Sequence, residues 1–346
     1  MKYTIPSLRI STVEDCNFRC NFCQIDGDFS SDYGLEKPKD WISLIGQSAQ
    51  RFFNLGVRHF SVTGGEPLLN PHTTFGISRM LRKWLADAAA TDSYLRLNTN
   101  GVLVGKYADQ IASLYDLVKI SLHSLQSDSY GKITGSPSPE RDLKRTLQGI
   151  ERLSQRGVKM RLQMCVTRKN KEEIWDFIRF CQNHPSIRDI KIFDITEYSK
   201  LWRHDLSESE SWDKNFVSLK DFEQKLKKQA RLLGVVQSVG GYGNPMNVYQ
   251  LGNLRIRLRR SDVGAYYGLN CEKSCTAFIT CVDGHCNLEI GPNCVIKVCR
   301  PKEGIVFALG EEKKAIDYFQ TTSFNPRIDV QTRLRKYADC SHQRRI

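Results

Sequence analysis

No run in this 346-residue sequence is long and apolar enough to cross a membrane as a helix, and Met1-Lys2-Tyr3-Thr4 does not open a signal peptide. These absences argue against membrane-embedded and secreted classes and make the cytoplasm the expected location. There is no low-complexity tail and no internal repeat beyond an alternation of strand-like and helix-like segments. Acidic residues are in deficit: 38 Asp and Glu face 51 Lys and Arg, a formal net charge of +13. That balance favours anionic partners, a phosphorylated metabolite or nucleotide ahead of nucleic acid, although a lysine-rich surface would account for it equally well. Apolar content of 40% and charged content of 26% are those of an ordinary globular chain, with room for two domains or one large α/β domain.

Cysteine, in contrast, is abundant. Of twelve, three lie near the start, seven crowd residues 271–340, and two are isolated. Cys165 falls in an expected strand and Cys181 in an expected helix, where buried thiols are the plain interpretation. The first group is ordered: Cys16, Cys20 and Cys23 stand at C-x3-C-x2-C spacing, after an alternating run from Leu8 that reads as a strand. Three thiolates from one short loop can hold three irons of a 4Fe–4S cluster and leave the fourth open. Spacing alone leaves a three-cysteine zinc site or a set of buried thiols open.

The second strand, His59–Thr63, runs into Gly64-Gly65-Glu66-Pro67. With the cysteine motif one strand earlier, the chain resembles the radical S-adenosylmethionine (SAM) superfamily. The resemblance implies that Cys16, Cys20 and Cys23 hold the cluster and that the open iron takes the amino and carboxylate groups of SAM. It further implies that Gly64, Gly65 and Glu66 meet the methionyl amine and that Phe22 packs near the adenine. Asn100, with Gly101 at the end of the third strand, and Ser121 at the end of the fourth are implied as further SAM contacts, with turn chemistry as the plain alternative. An electron from the reduced cluster then cleaves SAM to a 5′-deoxyadenosyl radical that takes hydrogen from the substrate. The electron comes from a donor such as flavodoxin or ferredoxin. No acid–base dyad is needed, so His123 and His204 read as structural.

Strand-like runs at 8–12, 59–63, 94–98, 117–122, 158–167 and 189–195 alternate with helix-like segments at 41–55, 75–89, 106–114, 141–155 and 172–183. Six βα units imply a parallel sheet with ligands at the carboxyl ends of its strands, where both motifs fall. The expected fold is α/β: a partial (β/α)6 TIM-like barrel over 1–215, then a small C-terminal iron–sulfur domain over 216–346. In the latter, Leu219–Leu233 reads as a helix, Gly240–Pro245 as a connector, and the remainder as strand-poor. Asn253–Arg260 alternates Leu254, Ile256 and Leu258 with Arg255, Arg257 and Arg259 and reads as a strand with one cationic face. A solvated edge strand and a phosphate-facing wall are both open for it.

Val118–Leu125, Ile133-Thr134-Gly135 and Leu8–Ser11 resemble GTP 3′,8-cyclases of molybdenum-cofactor biosynthesis. That likeness implies substrate contacts for Arg9 and Arg161. The departures matter: Ser61 stands where those cyclases carry arginine, Asn287-Leu288-Glu289-Ile290 replaces their Arg-Leu-Arg, Thr196 replaces a methionine, and the chain ends Arg344-Arg345-Ile346 rather than Gly-Gly. A small anionic or nucleotide-like substrate other than GTP is therefore expected, anchored by Arg9, Arg161, Arg255 and Arg257. Cys281-Val282-Asp283-Gly284 followed by Cys299 resembles the twitch or SPASM extension, implying an auxiliary 4Fe–4S cluster held by Cys281, Cys286, Cys299 and Cys340. Cys294 stands where the hairpin glycine is usual; Cys271 and Cys275 are left over and could replace Cys286, all seven could support two clusters, and a structural zinc at 271/275/281/286 is a further alternative. Rival functions are the GTP cyclase itself, a peptide-modifying maturase, and a non-catalytic iron–sulfur protein that binds nucleic acid.

Overall fold

The computed structural model describes residues 7–23, 37–89, 91–195, 215–236, 245–263, 267–268, 288–298, 306–320 and 322–323. The first strands and helices are β1 (Leu8–Ser11), α1 (Trp41–Asn54), β2 (His59–Thr63), α2 (Pro71–Asp87), β3 (Tyr94–Thr99), α3 (Ala108–Leu114) and β4 (Leu117–Ser121). They continue with α4 (Ser127–Thr134), α5 (Pro139–Gln155), β5 (Met160–Val166), α6 (Ile174–Asn183) and β6 (Ile187–Asp194). Each of β1 to β5 pairs in parallel with the next. The result is the expected partial barrel of βα units.

The alternation along the strands explains the layering. Leu8, Ile10, Phe60, Val62, Leu95, Leu97, Val118 and Ile120 are buried on one face. There they join one core with Ile45, Phe52, Leu81 and Ile150 from the helices. Intervening positions carry Arg9, Ser61, Arg96, Lys119, Arg161, Asp189 and Lys191 on the opposite, inner face. α5 comes so close to the loop after β3 that a Cβ on Gly149 would lie 2.4 Å from Cγ2 of Val104 and 3.0 Å from the Gly105 nitrogen.

The later chain departs from expectation. α7 (Lys220–Lys227) ends early, and β7 (Arg231–Val236) occupies what read as the rest of a helix, antiparallel to β8 (Met246–Leu251). The helix-forming character of Ala230-Arg231-Leu232-Leu233 yields to strand pairing, a tertiary override of a weak local preference. β9 (Leu254–Arg259) is no edge: it lies between β8, antiparallel, and β6, parallel. The solvated-edge interpretation is thereby overturned, and the arginine face continues the inner face of the barrel. β10 (Tyr267–Gly268) pairs with β14 (Thr322–Ser323).

The region after 260 is also richer in strands than its sequence indicated. β11 (Leu288–Ile290) extends the sheet parallel to β1, and β12 (Val295–Lys297) and β13 (Val306–Ala308) follow antiparallel, with α8 (Glu312–Gln320) beyond. Strands from both sides of position 215 thus share one sheet. Cys271, Cys275, Cys281, Cys286, Cys299, Cys340, Thr196 and His204 lie outside the described residues. Cys294 is described, at the β11–β12 turn with φ 57°.

Gly149→Ala should destabilise the protein by about 1–3 kcal/mol, since the new methyl meets a side chain and a backbone nitrogen at once. Urea denaturation with an unchanged midpoint would contradict that packing.

Candidate active site at the carboxyl ends of the strands

Backbone bonds define the site. The loop carrying Cys16, Cys20 and Cys23 leaves β1 and is stitched to the turn after β2. Thr12 N donates to Thr63 O (2.9 Å), Gly65 N to Val13 O (2.8 Å) and Glu66 N to Asp15 O (2.8 Å). The approach is too close for side chains. A Cβ on Gly64, whose φ is +151°, would lie 2.3 Å from Val13 O, and one on Gly65 would lie 2.3 Å from Asp15 O. On its other side the loop is held by the carboxyl end of α4, where Arg19 N donates to Thr134 O (2.9 Å) and Asn21 N to Ile133 O (3.0 Å). These are terminal carbonyls that a helix leaves unpaired.

Glu66 gathers the third strand into the same unit. Its Oε1 accepts from Leu68 N (3.1 Å) and Thr99 Oγ1 (2.7 Å), and its Oε2 from Asn100 N (2.6 Å). Asn100 Nδ2 in turn donates to Asn17 Oδ1 (2.8 Å) in the cysteine loop. Full burial pushes the Glu66 carboxyl up to about 7, held back by its hydrogen bonds to Asn100, Thr99 and Leu68. The carboxyl group is enclosed by the turn that it organises. Ser121 ends β4, half-buried and in register with Gln163.

The three thiols lie close enough to influence each other. Burial raises Cys20 well above an ordinary thiol, and Cys23, Cys16 and then Cys165 push it further. Burial likewise raises Cys16. Such thiols deprotonate when cations sit among them. Among the described residues, no three His, Cys, Asp or Glu side chains converge tightly enough for a single metal ion. The Phe22 ring lies edge-on to His123, with centroids 4.7 Å apart. His123 is buried, its Nδ1 accepts from Cys165 N (3.0 Å), and burial lowers its pKa to about 3. It is a structural histidine, and Cys165 and Cys181 are buried as expected.

Below these loops the inner face is strongly basic. Arg161 makes a two-pronged pair with Asp189, its Nε 3.0 Å from Oδ1 and its Nη2 2.9 Å from Oδ2. Arg257 Nε reaches the same carboxylate at 2.9 Å and 3.0 Å. Arg9 Nε stands 3.6 Å from Glu289 on β11, and Arg9 Nη2 donates to Thr63 Oγ1 (3.4 Å). Arg255, by contrast, is exposed. Ser61 accepts from Asn98 Nδ2 (3.0 Å), so an uncharged pair fills that position. Three lumen cations were not singled out by sequence reasoning: Arg96, Lys119 and Lys191. Each is a lone basic residue at an inward position of a strand, and that alternation was the only signal.

Residues 10–181 match the pattern of the Radical SAM superfamily. A probable GTP 3′,8-cyclase of Sulfolobus acidocaldarius is 30% identical over 263 residues, which span 73% of this chain and 78% of that protein. The chain belongs to the radical SAM superfamily. A second probable GTP 3′,8-cyclase, from Saccharolobus solfataricus, is 30% identical over 266 residues, spanning 73% of this chain and 80% of the relative. In fold, the chain resembles native anSMEcpe with bound AdoMet, at a TM-score of 0.57 and 16% identity over 92% of this chain and 80% of that one. Radical SAM enzymes use a 4Fe–4S cluster and SAM. The glycine cradle and the Cys20 thiol, which lies within electrostatic reach of Cys16 and Cys23, fit both.

Two outcomes follow for this radical SAM site. Gly65→Ala should push the cysteine loop off the β2 turn, and bound iron per chain should drop; full iron content would contradict the cradle. The Glu66 carboxyl holds its proton more tightly folded (about 7) than at its ordinary value of 4.5. That stabilisation is present in full below 4.5 and is lost as pH rises to 7, by about 3 kcal/mol at most. Between pH 5 and 7.5 the wild type should therefore lose stability relative to Glu66→Gln, whereas parallel denaturation profiles would contradict the shift.

Proposed function

We propose that this radical SAM enzyme acts on a small anionic, nucleotide-like molecule seated in the lumen of the partial barrel, in cofactor or natural-product biosynthesis. One observation carries the reading. Arg9, Arg96, Lys119, Arg161, Lys191, Arg257 and Arg259 share the inner face with two carboxylates, Asp189 and Glu289, among the described residues. A surplus of buried positive charge is costly unless an anion completes it.

In this reading Cys16, Cys20 and Cys23 hold the catalytic cluster. The backbone at Gly64-Gly65-Glu66, with Asn100, Ser121 and Phe22, positions SAM. When bound, the cluster and SAM supply the 5′-deoxyadenosyl radical that takes a hydrogen atom from the substrate. The chain's own part is to hold donor and acceptor close and to exclude water. Arg161 and Arg257, fixed by Asp189, present their guanidinium groups from one wall, and Arg9 faces them from the other. A flavodoxin or ferredoxin would supply the electron, in the cytoplasm; no described helix is long and apolar enough to cross a membrane. We also assign an auxiliary cluster to Cys281, Cys286, Cys299 and Cys340. The antiparallel β11–β12 pair lies between Cys286 and Cys299, where the twitch pattern has a hairpin. The expected division into a barrel to 215 and an auxiliary-cluster region beyond it stands as part of this proposal.

A second reading, GTP 3′,8-cyclase, is favoured by the relatives' printed activity and by the lumen positions of Arg9 and Arg161. Glu289 weighs against it. It faces the lumen opposite Arg9, in the stretch where the cyclases carry Arg-Leu-Arg.

Reduced enzyme should cleave SAM severalfold faster with a nucleoside triphosphate present, measured as 5′-deoxyadenosine, and Arg161→Ala or Arg257→Ala should abolish the stimulation. A 3′,8-cyclised product from GTP would establish the second reading. Stimulation confined to uncharged compounds or peptides, or unaffected by both substitutions, would overturn the first.

A further inference from the structure

Three basic side chains of the lumen have a carboxylate within ion-pair distance. Arg161 and Arg257 share Asp189, and Arg9 has Glu289. Arg96 and Lys119 do not: among the described residues neither forms an ion pair with a carboxylate. Arg96 is only 7% exposed, yet its Nε has no hydrogen-bond partner, and Nη2 donates to Ser7 Oγ at 3.2 Å. Ser7 immediately precedes β1, so this guanidinium lies toward the amino ends of the strands, the floor of the lumen. Lys119 stands one layer higher on the adjacent strand, in register with Asn98 on one side and Arg161 on the other. Oδ1 of Asn98 is also buried without a partner. The lumen above is open, with Arg9 and Arg161 retaining 13% and 18% side-chain exposure.

We propose that Arg96 and Lys119 form an anion subsite at the floor of the barrel, which takes a phosphoryl group of the substrate at the end farthest from the SAM loops. The inference rests on the reading that the lumen holds an anionic substrate, and it adds where the anion sits and which residues select it. A guanidinium fork beside a point-like ammonium is the usual pairing for a phosphoryl group. The electrostatics of the lumen agree. Burial, followed by repulsion from Arg96, Arg161, Lys191 and Arg9, holds the Lys119 ammonium well below its ordinary range. Burial, then Arg161 and Arg9, lowers the Arg96 guanidinium to about 10. Two cations kept together without a counterion store repulsion that a bound phosphoryl group would release. A purely structural role would call for a carboxylate partner, as Arg161 has.

The test is calorimetric titration of pyrophosphate into cluster-loaded, anaerobic enzyme, with citrate as the carboxylate comparator. Binding should weaken about tenfold or more in Arg96→Gln and in Lys119→Met, the scale of one charged hydrogen bond, and recover in Lys119→Arg. Lys119→Met should also raise the Tm of the ligand-free enzyme, because it removes a buried amine that has no carboxylate partner among the described residues. Pyrophosphate affinity unchanged in Arg96→Gln and Lys119→Met but lost in Arg161→Gln would overturn the subsite and leave the anionic lumen standing. No binding to the wild type would overturn both. Citrate bound in preference to pyrophosphate would overturn the phosphoryl assignment. Should Lys119→Met fail to fold, Arg96→Gln decides alone.

Discussion

The close approach of two backbones, the Gly64-Gly65 turn against Val13 to Asp15, is the constraint on which the rest of the site depends. Neither glycine has room for a methyl group, and three inter-segment backbone bonds exist because of that proximity. Through it β1 delivers its cysteines and β2 its turn to a single place. Glu66 then extends the arrangement to β3, and Asn100 returns to the cysteine loop through Asn17. The terminal carbonyls of α4 close the ring from the far side.

The lumen follows a different logic. There, long flexible cations are held by few carboxylates, and one, Asp189, serves two arginines. Buried pairs of this kind contribute little net stability because desolvation offsets attraction. Their value lies in fixed direction: Arg161 and Arg257 cannot swing away without abandoning Asp189. β9 supplies one of them from residues well beyond the sixth βα unit, and β11 brings Glu289 beside Arg9 at the opposite margin. Chain that follows the barrel units thus supplies both margins of the basic inner face.

The two ligand-binding motifs and the six parallel strands were legible in the sequence, because period-two runs, Gly-Gly-Glu-Pro and the cysteine spacing are local signals. Pairing between distant segments is not local. Leu254–Arg259 alternates just as an edge strand would, and only its position between β6 and β8 turns that face inward. α4 escaped notice because Ser127, Ser129 and Gly131 are weak helix formers; its importance lies in where its end points. Leu219–Leu233 looked helical because propensity cannot foresee the β7–β8 pairing. Arg96 and Lys119 are single residues in ordinary strands, and their isolation from carboxylates emerges only when five strands curve together. Of the C-terminal cysteines only Cys294 falls within the described residues, so their grouping rests on the sequence pattern.

The most direct test of the account is anaerobic iron and sulfide quantitation with electron paramagnetic resonance, on the parent and on a variant with Cys16, Cys20 and Cys23 all changed to Ala. A loss of about four irons per chain, with loss of the SAM-sensitive signal, is the predicted result. Unchanged iron content, or a SAM-sensitive signal that survives the triple substitution, would contradict the assignment of these cysteines to the catalytic cluster.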